Sequence, residues 1–196
     1  RIYGPARALL TAERTALNFV QRLSGIATLT AKFVQQVSGT NTKILDTRKT
    51  VPGWRVLEKY AVACGGGINH RFGLYDQVMI KDNHLVAVGG NIKKAVKCAR
   101  ENYPKLKIEV EADTVEQAKT AAEAGADIIL LDNMSCEELI QSIELISGRS
   151  KTEASGGITM DTVREIAETG VDYISIGALT HSAPAVDIGF DFDQLS

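Results

Sequence analysis

The sequence predicts an α/β protein built on parallel strands, most compactly an irregular parallel α/β barrel of about six strands. Three observations lead there. From residue 40 onward, short apolar runs alternate with longer helix-forming segments, the rhythm of repeated β–α units. Two of these units end almost alike, Ala121–Ala122–Glu123–Ala124–Gly125–Ala126–Asp127 and Ile166–Ala167–Glu168–Thr169–Gly170–Val171–Asp172. In both, Gly closes a helix, a small or apolar residue follows, and Asp leads into a strand. Such repetition implies parallel strands joined by right-handed crossovers. Finally, each apolar run ends in polar side chains, as strands do when they deliver chemistry to the mouth of a barrel. No G-x-G-x-x-G follows a first strand, which argues against an open dinucleotide-binding sheet.

Taken in order, residues 7–37 read as helix, with Leu9, Leu10, Leu17, Phe19, Val20 and Leu23 among its apolar positions. Arg22–Leu23–Ser24–Gly25 reads as a break, and 26–37 as its resumption before Ser38–Gly39. Strands are expected at 43–46, 77–81, 107–111, 127–132, 151–155 and 173–177. Helices are expected at 54–63, 91–102, 114–124, 135–146 and 160–169. Gly65–Gly66–Gly67 reads as a loop, and Asp82–Asn83 as a turn after Lys81. Residues 182–196 differ, because Ile188, Phe190 and Phe192 alternate with Gly189, Asp191 and Asp193, an edge-strand pattern outside the repeat. The expected division is therefore a catalytic barrel over 39–181 and the remainder of an outer N-terminal-type domain, 1–38 with 182–196. Arg1 is no initiator residue, so a preceding portion of chain is expected.

A chain of 196 residues, 44% hydrophobic, can bury a substantial core. Its net charge of −2 supplies no basic field for nucleic acid or an anionic membrane, so any anion must be met by local clusters of Arg and Lys. Cys64, Cys98 and Cys136 follow no metal-binding spacing and suit free thiols in a reducing cytosol. No apolar run is long enough to span a bilayer. A cytoplasmic protein without nucleic-acid or membrane partners is expected.

The strand ends carry the chemistry. Ile44–Leu45 runs into Asp46–Thr47–Arg48–Lys49–Thr50, and the later ends offer Lys81/Asp82/Asn83/His84, then Glu109/Glu111/Asp113, Asp132/Asn133, Glu153/Ser155/Gly156/Gly157, and Gly177 with His181 beyond. Asn69–His70–Arg71 precedes the second strand. The bases Arg48, Lys49, His70, Arg71 and Lys81 suit a substrate with several carboxylates. Glu111 and Asp132, on neighbouring strand ends, suit Mg²⁺, a hard cation that takes few protein oxygens. Ser155–Gly156–Gly157 ahead of a helix offers backbone N–H groups to a phosphate, and Gly177–Ala178–Leu179–Thr180 extends that cradle. Glu109 and Glu111 alternate with Ile108 and Val110 and so share the interior face, where an unpaired acid is costly; a cation or a partner base is expected beside them.

Thr11–Ala12–Glu13–Arg14–Thr15–Ala16–Leu17–Asn18, Asp46–Thr47–Arg48–Lys49–Thr50, Asn69–His70–Arg71, Ile80–Lys81–Asp82–Asn83–His84, Glu109–Val110–Glu111, Leu131–Asp132–Asn133, Ser155–Gly156–Gly157 and Gly177–Ala178–Leu179–Thr180–His181 together resemble quinolinate phosphoribosyltransferase, and the likeness runs in order along nearly the whole chain. The resemblance implies a type II phosphoribosyltransferase-like barrel, a Mg²⁺-dependent site shared within a homodimer or larger assembly, and one reaction. That reaction converts quinolinate and phosphoribosyl pyrophosphate to nicotinate mononucleotide, pyrophosphate and CO₂, a step of NAD biosynthesis. It implies that Arg48, His70, Arg71 and Lys81 hold the quinolinate carboxylates and that Arg14 reaches into a neighbouring subunit's site. Lys49 would meet phosphoribosyl pyrophosphate, and Glu111 and Asp132 would face the ribose and Mg²⁺. Ser155, Gly156 and Gly177 would cradle the 5′-phosphate with His181 close by. Lys49, Lys81, Glu111 and Asp132 are the residues expected to act in catalysis. A nicotinate-specific relative and a catalytically silent paralogue remain as alternatives, the first disfavoured by the density of bases and the second by the full set of polar strand ends.

Overall fold

A computed structural model describes residues 2–191. Its six strands are β1 (Lys43–Leu45), β2 (Val78–Ile80), β3 (Ile108–Ala112), β4 (Ile128–Asp132), β5 (Lys151–Ser155) and β6 (Tyr173–Ser175). The helices are α1 (Ala6–Gln36), α2 (Arg55–Cys64), α3 (Asp82–Ala87), α4 (Ile92–Asn102), α5 (Val115–Glu123), α6 (Cys136–Ile146), α7 (Val163–Glu168) and α8 (Ala178–His181). All strand pairs are parallel, in the order β1-β6-β5-β4-β3-β2. That is the sequential order of an α/β barrel, with the seam lying between β1 and β2. No ladder joins those two strands. Ile68 lies against β1 instead, in a parallel bridge to Leu45, with its N–H donating to Ile44 O at 2.9 Å.

The repeated Gly–small–Asp ending has a visible cause. Gly125 and Gly170 take φ of +83° and +93°, which glycine tolerates without a Cβ clash. The Asp that follows staples the start of a neighbouring strand, since Asp127 accepts from the Ile108 N–H at 2.7 Å and Asp172 from the Thr152 N–H at 2.9 Å. Helix starts are equally local. Asn91 and Thr114 accept from the amides of Lys94 and Gln117, and Ser135 with Glu138 forms a reciprocal box at the head of α6.

Strand register sorts the side chains by parity. Ile44, Ile80, Val110, Ile129, Leu131, Ala154 and Ile174 face the helices and form the buried core with Val62, Ala118, Ala121, Leu139 and Val163. Met79, Glu109, Glu111, Leu130, Asp132, Glu153 and Ser155 occupy the alternate positions, facing inward. Barrel interiors are ordinarily filled by branched apolar residues. This one is lined with acids.

Three expectations need correction. The helix does not break at 22–25: α1 is continuous, and Gly25 lies inside it because the tail packs there. A Cβ on Gly25 would stand 2.0 Å from the Pro184 carbonyl oxygen. The tail is also held by the Val186 N–H donating to Gln21 O and by Gln21 Nε2 donating to Ile188 O. Glycine here serves close approach, not a stop. Gly25→Ala is expected to destabilise the chain by about 1–3 kcal/mol through overpacking, read as a lowered Tm. The edge strand expected over 182–196 is likewise absent from 182–191, whose backbone runs irregularly along α1; Phe192 and the residues after it lie outside the described residues. Asp82–Asn83 opens the short helix α3 rather than forming a simple turn.

Candidate functional site

At the C-terminal ends of the strands a cavity of about 830 Å³ opens. Arg48, Lys49, His70, Arg71, Lys81, Glu111, Asp132, Ser155, Gly156, Gly177 and His181 all line it. Of the residues expected at the site, Arg14 alone is elsewhere, exposed on α1.

The cationic wall comes from two places. Arg48 and Lys49 follow β1, while His70 and Arg71 lie on the segment bridging the seam. Among the described residues Arg48, Lys49 and Arg71 make no ion pair with a carboxylate. The Arg48 Nε is buried without a hydrogen-bond partner. Arg71 donates to the Gln77 carbonyl and to Met79 Sδ, each at 3.2 Å. Burial and the nearby Arg48 guanidinium both weaken its hold on its proton. Two guanidinium groups that repel each other and keep donors unmet form a site awaiting an anion.

Beneath them lies the barrel floor. His70 Nε2 stands 3.2 Å from Glu109 Oε2 and 3.4 Å from Glu153 Oε2. Gln77 Nε2 donates to the same Glu109 oxygen at 2.5 Å. Burial alone would lower the imidazole pKa, but the neighbouring Glu109 and Glu153 carboxylates outweigh it and push it up to about 10. Burial raises the Glu109 carboxyl. The Arg71 amide nitrogen lies 2.6 Å from His70 Nδ1. The three side chains carry metal-type donors within 4.8 Å of one another; Gln77 serves Glu109 Oε2, while Glu109 Oε1 and Glu153 Oε2 are buried without a hydrogen-bond partner. His70 is thus held by the protein as well as lining the cavity. The partner base expected beside Glu109 is His70, and beside Glu111 it is Lys81, at 2.6 Å.

The linkage has a definite sign. A group whose folded pKa is raised contributes stability in full below its unfolded pKa and loses it as pH climbs through the folded value. Stability is therefore expected to decline between pH 6.5 and about 10. In urea titrations at spaced pH, His70→Gln should flatten that decline.

The acidic side is formed by Glu111 and Asp132. Asp132 accepts from the Ser155 hydroxyl and, at 2.7 Å, from Asn133 Nδ2. Glu111 Oε1 has no partner among the described hydrogen bonds, and Asp132 retains lone pairs beyond its two bonds. This hard-oxygen donor set fits Mg²⁺.

The glycine-rich end differs from its sequence reading. Ser155–Gly156–Gly157 does not open directly into a helix, since α7 begins only at Val163. Gly156 and Gly157 instead turn through φ of +93° and +59°. The N–H groups of Gly156, Gly157, Ile158, Gly177 and Ala178 donate to no group among the described residues, and all five residues line the cavity. Successive free amides on a left-handed turn make an anion nest. Lys49 and His181 converge over Gly177, where a Cβ would meet Lys49 Cδ at 3.0 Å and His181 Nε2 at 3.2 Å.

Sequence reasoning did not single out Met79 and Leu130, which give the cavity an apolar shelf, or the buried function of Glu153. The parity that joined Glu109 to Glu111, carried across the registers, reaches all three.

Residues 26–191 match the family described as quinolinate phosphoribosyl transferase, C-terminal domain. The chain is 50% identical over 190 residues to the probable nicotinate-nucleotide pyrophosphorylase [carboxylating] of Bacillus subtilis, covering 97% of this chain and 66% of that protein. The crystal structure of NadC from Streptococcus pyogenes superposes with a TM-score of 0.90 at 51% identity, over 94% of this chain and 65% of that one. The nicotinate-nucleotide pyrophosphorylase structure from Ehrlichia chaffeensis gives 0.90 at 47% identity, over 93% and 66%. The chain thus spans slightly under two thirds of these relatives' length. With its irregular parallel fold, its match over most of its length and these identities, the chain belongs to the quinolinate phosphoribosyl transferase family.

Proposed function

We propose that this chain provides the active site for Mg²⁺-dependent transfer of a phosphoribosyl group from phosphoribosyl pyrophosphate to quinolinate, with decarboxylation to nicotinate mononucleotide. The observation that carries the reading is the Arg48–Arg71 wall, two guanidinium groups without a carboxylate partner among the described residues, facing one cavity that also holds a nest of free amides. A pyridine diacid suits the first, and the 5′-phosphate of ribose the second. The relatives' names, carboxylating pyrophosphorylases, support the same pairing.

Arg48, Arg71 and Lys81 hold the two carboxylates and aim the ring nitrogen at ribose C1, so orientation supplies much of the rate. The Met79–Leu130 shelf takes the ring face. The Gly156–Ile158 and Gly177–Ala178 amides fix the 5′-phosphate, leaving C1 toward Glu111 and Asp132, whose charge favours the positive ribose of the transition state. Lys49, with His181 beside it, meets the pyrophosphate as it departs. Glu111 and Asp132 would hold Mg²⁺, which when bound neutralises charge on the leaving pyrophosphate. Nitrogen bonds to C1 as the C1–pyrophosphate bond breaks. The carboxylate next to the now cationic nitrogen then leaves as CO₂, and the ring carbon keeps its electron pair until it takes a proton. The cationic ring stabilises that pair, so no covalent enzyme intermediate is required.

The outer-domain assignment of 1–38 and 182–196, and a homodimer in which Arg14 serves a partner's site, are part of this proposal. So is a cytoplasmic location, supported by three unpaired cysteines; no described helix is long and apolar enough to cross a membrane. The test is CO₂ release from carboxyl-labelled quinolinate, beside nucleotide formation from nicotinate. Release that requires phosphoribosyl pyrophosphate and Mg²⁺ is expected, and nucleotide from nicotinate alone would overturn the substrate assignment.

A further inference from the structure

Two fully buried charges have no part in that mechanism. Asp46, directly after β1, is 0% exposed, and Lys59 on α2 is 2% exposed. Their closest atoms, Nζ and Oδ1, are 2.5 Å apart. A buried pair of this kind adds little stability over apolar side chains of the same volume, because both charges had to leave water.

Its remaining bonds all go to one place. Asp46 Oδ1 accepts from the His70 N–H at 2.8 Å, and Lys59 Nζ donates to the His70 carbonyl at 3.0 Å. Both backbone polar groups of His70 are therefore held by the pair. With the Asn69 amide turned so that its nitrogen faces Asp46, it donates to Oδ2 at 2.8 Å and to the Lys59 carbonyl at 2.9 Å.

The location gives these bonds their meaning. The ion pair sits on the seam between β1 and β2, where backbone pairing extends only to the Leu45–Ile68 bridge and the Asp46 N–H bond to Ile68 O. Beyond that point the Asp46 carboxylate does the joining. On one side of the join is Arg48, two residues along; on the other are His70 and Arg71. Arg48 and Arg71 repel each other, a force that would open the seam.

We propose that Asp46 and Lys59 are positioning residues that fix the separation of Arg48 from the His70–Arg71 segment, and so set selectivity for a ligand with two neighbouring carboxylates over one with a single carboxylate. A diacid must engage both sides of the seam, whereas a monoacid needs one. The identity of the diacid rests on the functional reading above; the clamp itself does not.

The test uses the full chain and the variants Asp46→Asn and Asp46→Asn/Lys59→Gln, which keep polar partners while removing charge. Calorimetry measures binding of quinolinate, nicotinate and ribose 5-phosphate, and thermal melting checks the fold. Both variants are expected to lower the quinolinate-to-nicotinate affinity ratio about tenfold, with ribose 5-phosphate binding retained. An unchanged ratio, or equal loss for all three ligands, overturns the proposal. Should the double variant not fold, Asp46→Asn alone decides. If the unmodified chain binds ribose 5-phosphate but not quinolinate, the functional reading fails. The clamp is then judged by NMR of the ligand-free protein: the His70 ring and Arg71 amide signals should move in Asp46→Asn, and unmoved signals overturn it.

Discussion

Lys81→Ala is expected to lower kcat/KM for quinolinate by ~10²–10³-fold, the usual cost of removing one charged contact to a reacting group. Lys81 is the best candidate for so large an effect because it joins two halves of the site. It follows β2, bonds Glu111 across the neighbouring strand at 2.6 Å, and leaves 44% of its side chain exposed toward the cavity. That exposure also protects the fold, since truncation opens no buried void and leaves Glu111 reachable by water. Melting should change little. Normal turnover in the variant would refute the site assignment, and a collapse in melting temperature would make Lys81 structural instead.

Gly156→Ala is expected to act at the amide nest of the same cavity. A residue with a Cβ at φ +93° carries about 1–2 kcal/mol of backbone strain. The new methyl would also stand 2.1 Å from Asn133 Oδ1 and 2.9 Å from the Asn133 amide nitrogen. Asn133 cannot yield freely, because its N–H is bonded to Ser155 O and its Nδ2 to Asp132. The substitution therefore pushes on the nest and on the carboxylate beside it. KM for phosphoribosyl pyrophosphate should rise by about tenfold or more, with quinolinate binding far less affected. Equal weakening for both substrates would show that the glycine serves stability alone.

Much of this site was legible in the sequence. Arg48, Lys49, His70, Arg71, Lys81, Glu111 and Asp132 are scattered over 85 positions of the chain, yet each stands where an apolar run ends or a bridging loop begins, and parallel β–α units bring such ends together. What stayed hidden depends on contacts distant in sequence. Gly25 looked like a helix break because a glycine in a helix normally weakens it, and only the Pro184 carbonyl shows why it is there. Residues 182–191 lack the expected strand because α1, not a sheet edge, receives their backbone. The contacts of His70 with Glu109 and Glu153 were also hidden, because they cross from the seam to β3 and β5, a join that no local spacing displays.

The inward-facing acids have a consequence for how the chain tolerates change. With the inside of the sheet committed to charge, its strands contribute apolar packing mainly on the side turned to the helices. Along a single strand such as β4, Ile129 and Leu131 then answer to folding, while Leu130 and Asp132 answer to chemistry. A scan of every substitution would show an alternation of period two, with cellular abundance falling at one residue and turnover at the next, so that two selections share one strand without competing for the same side chain.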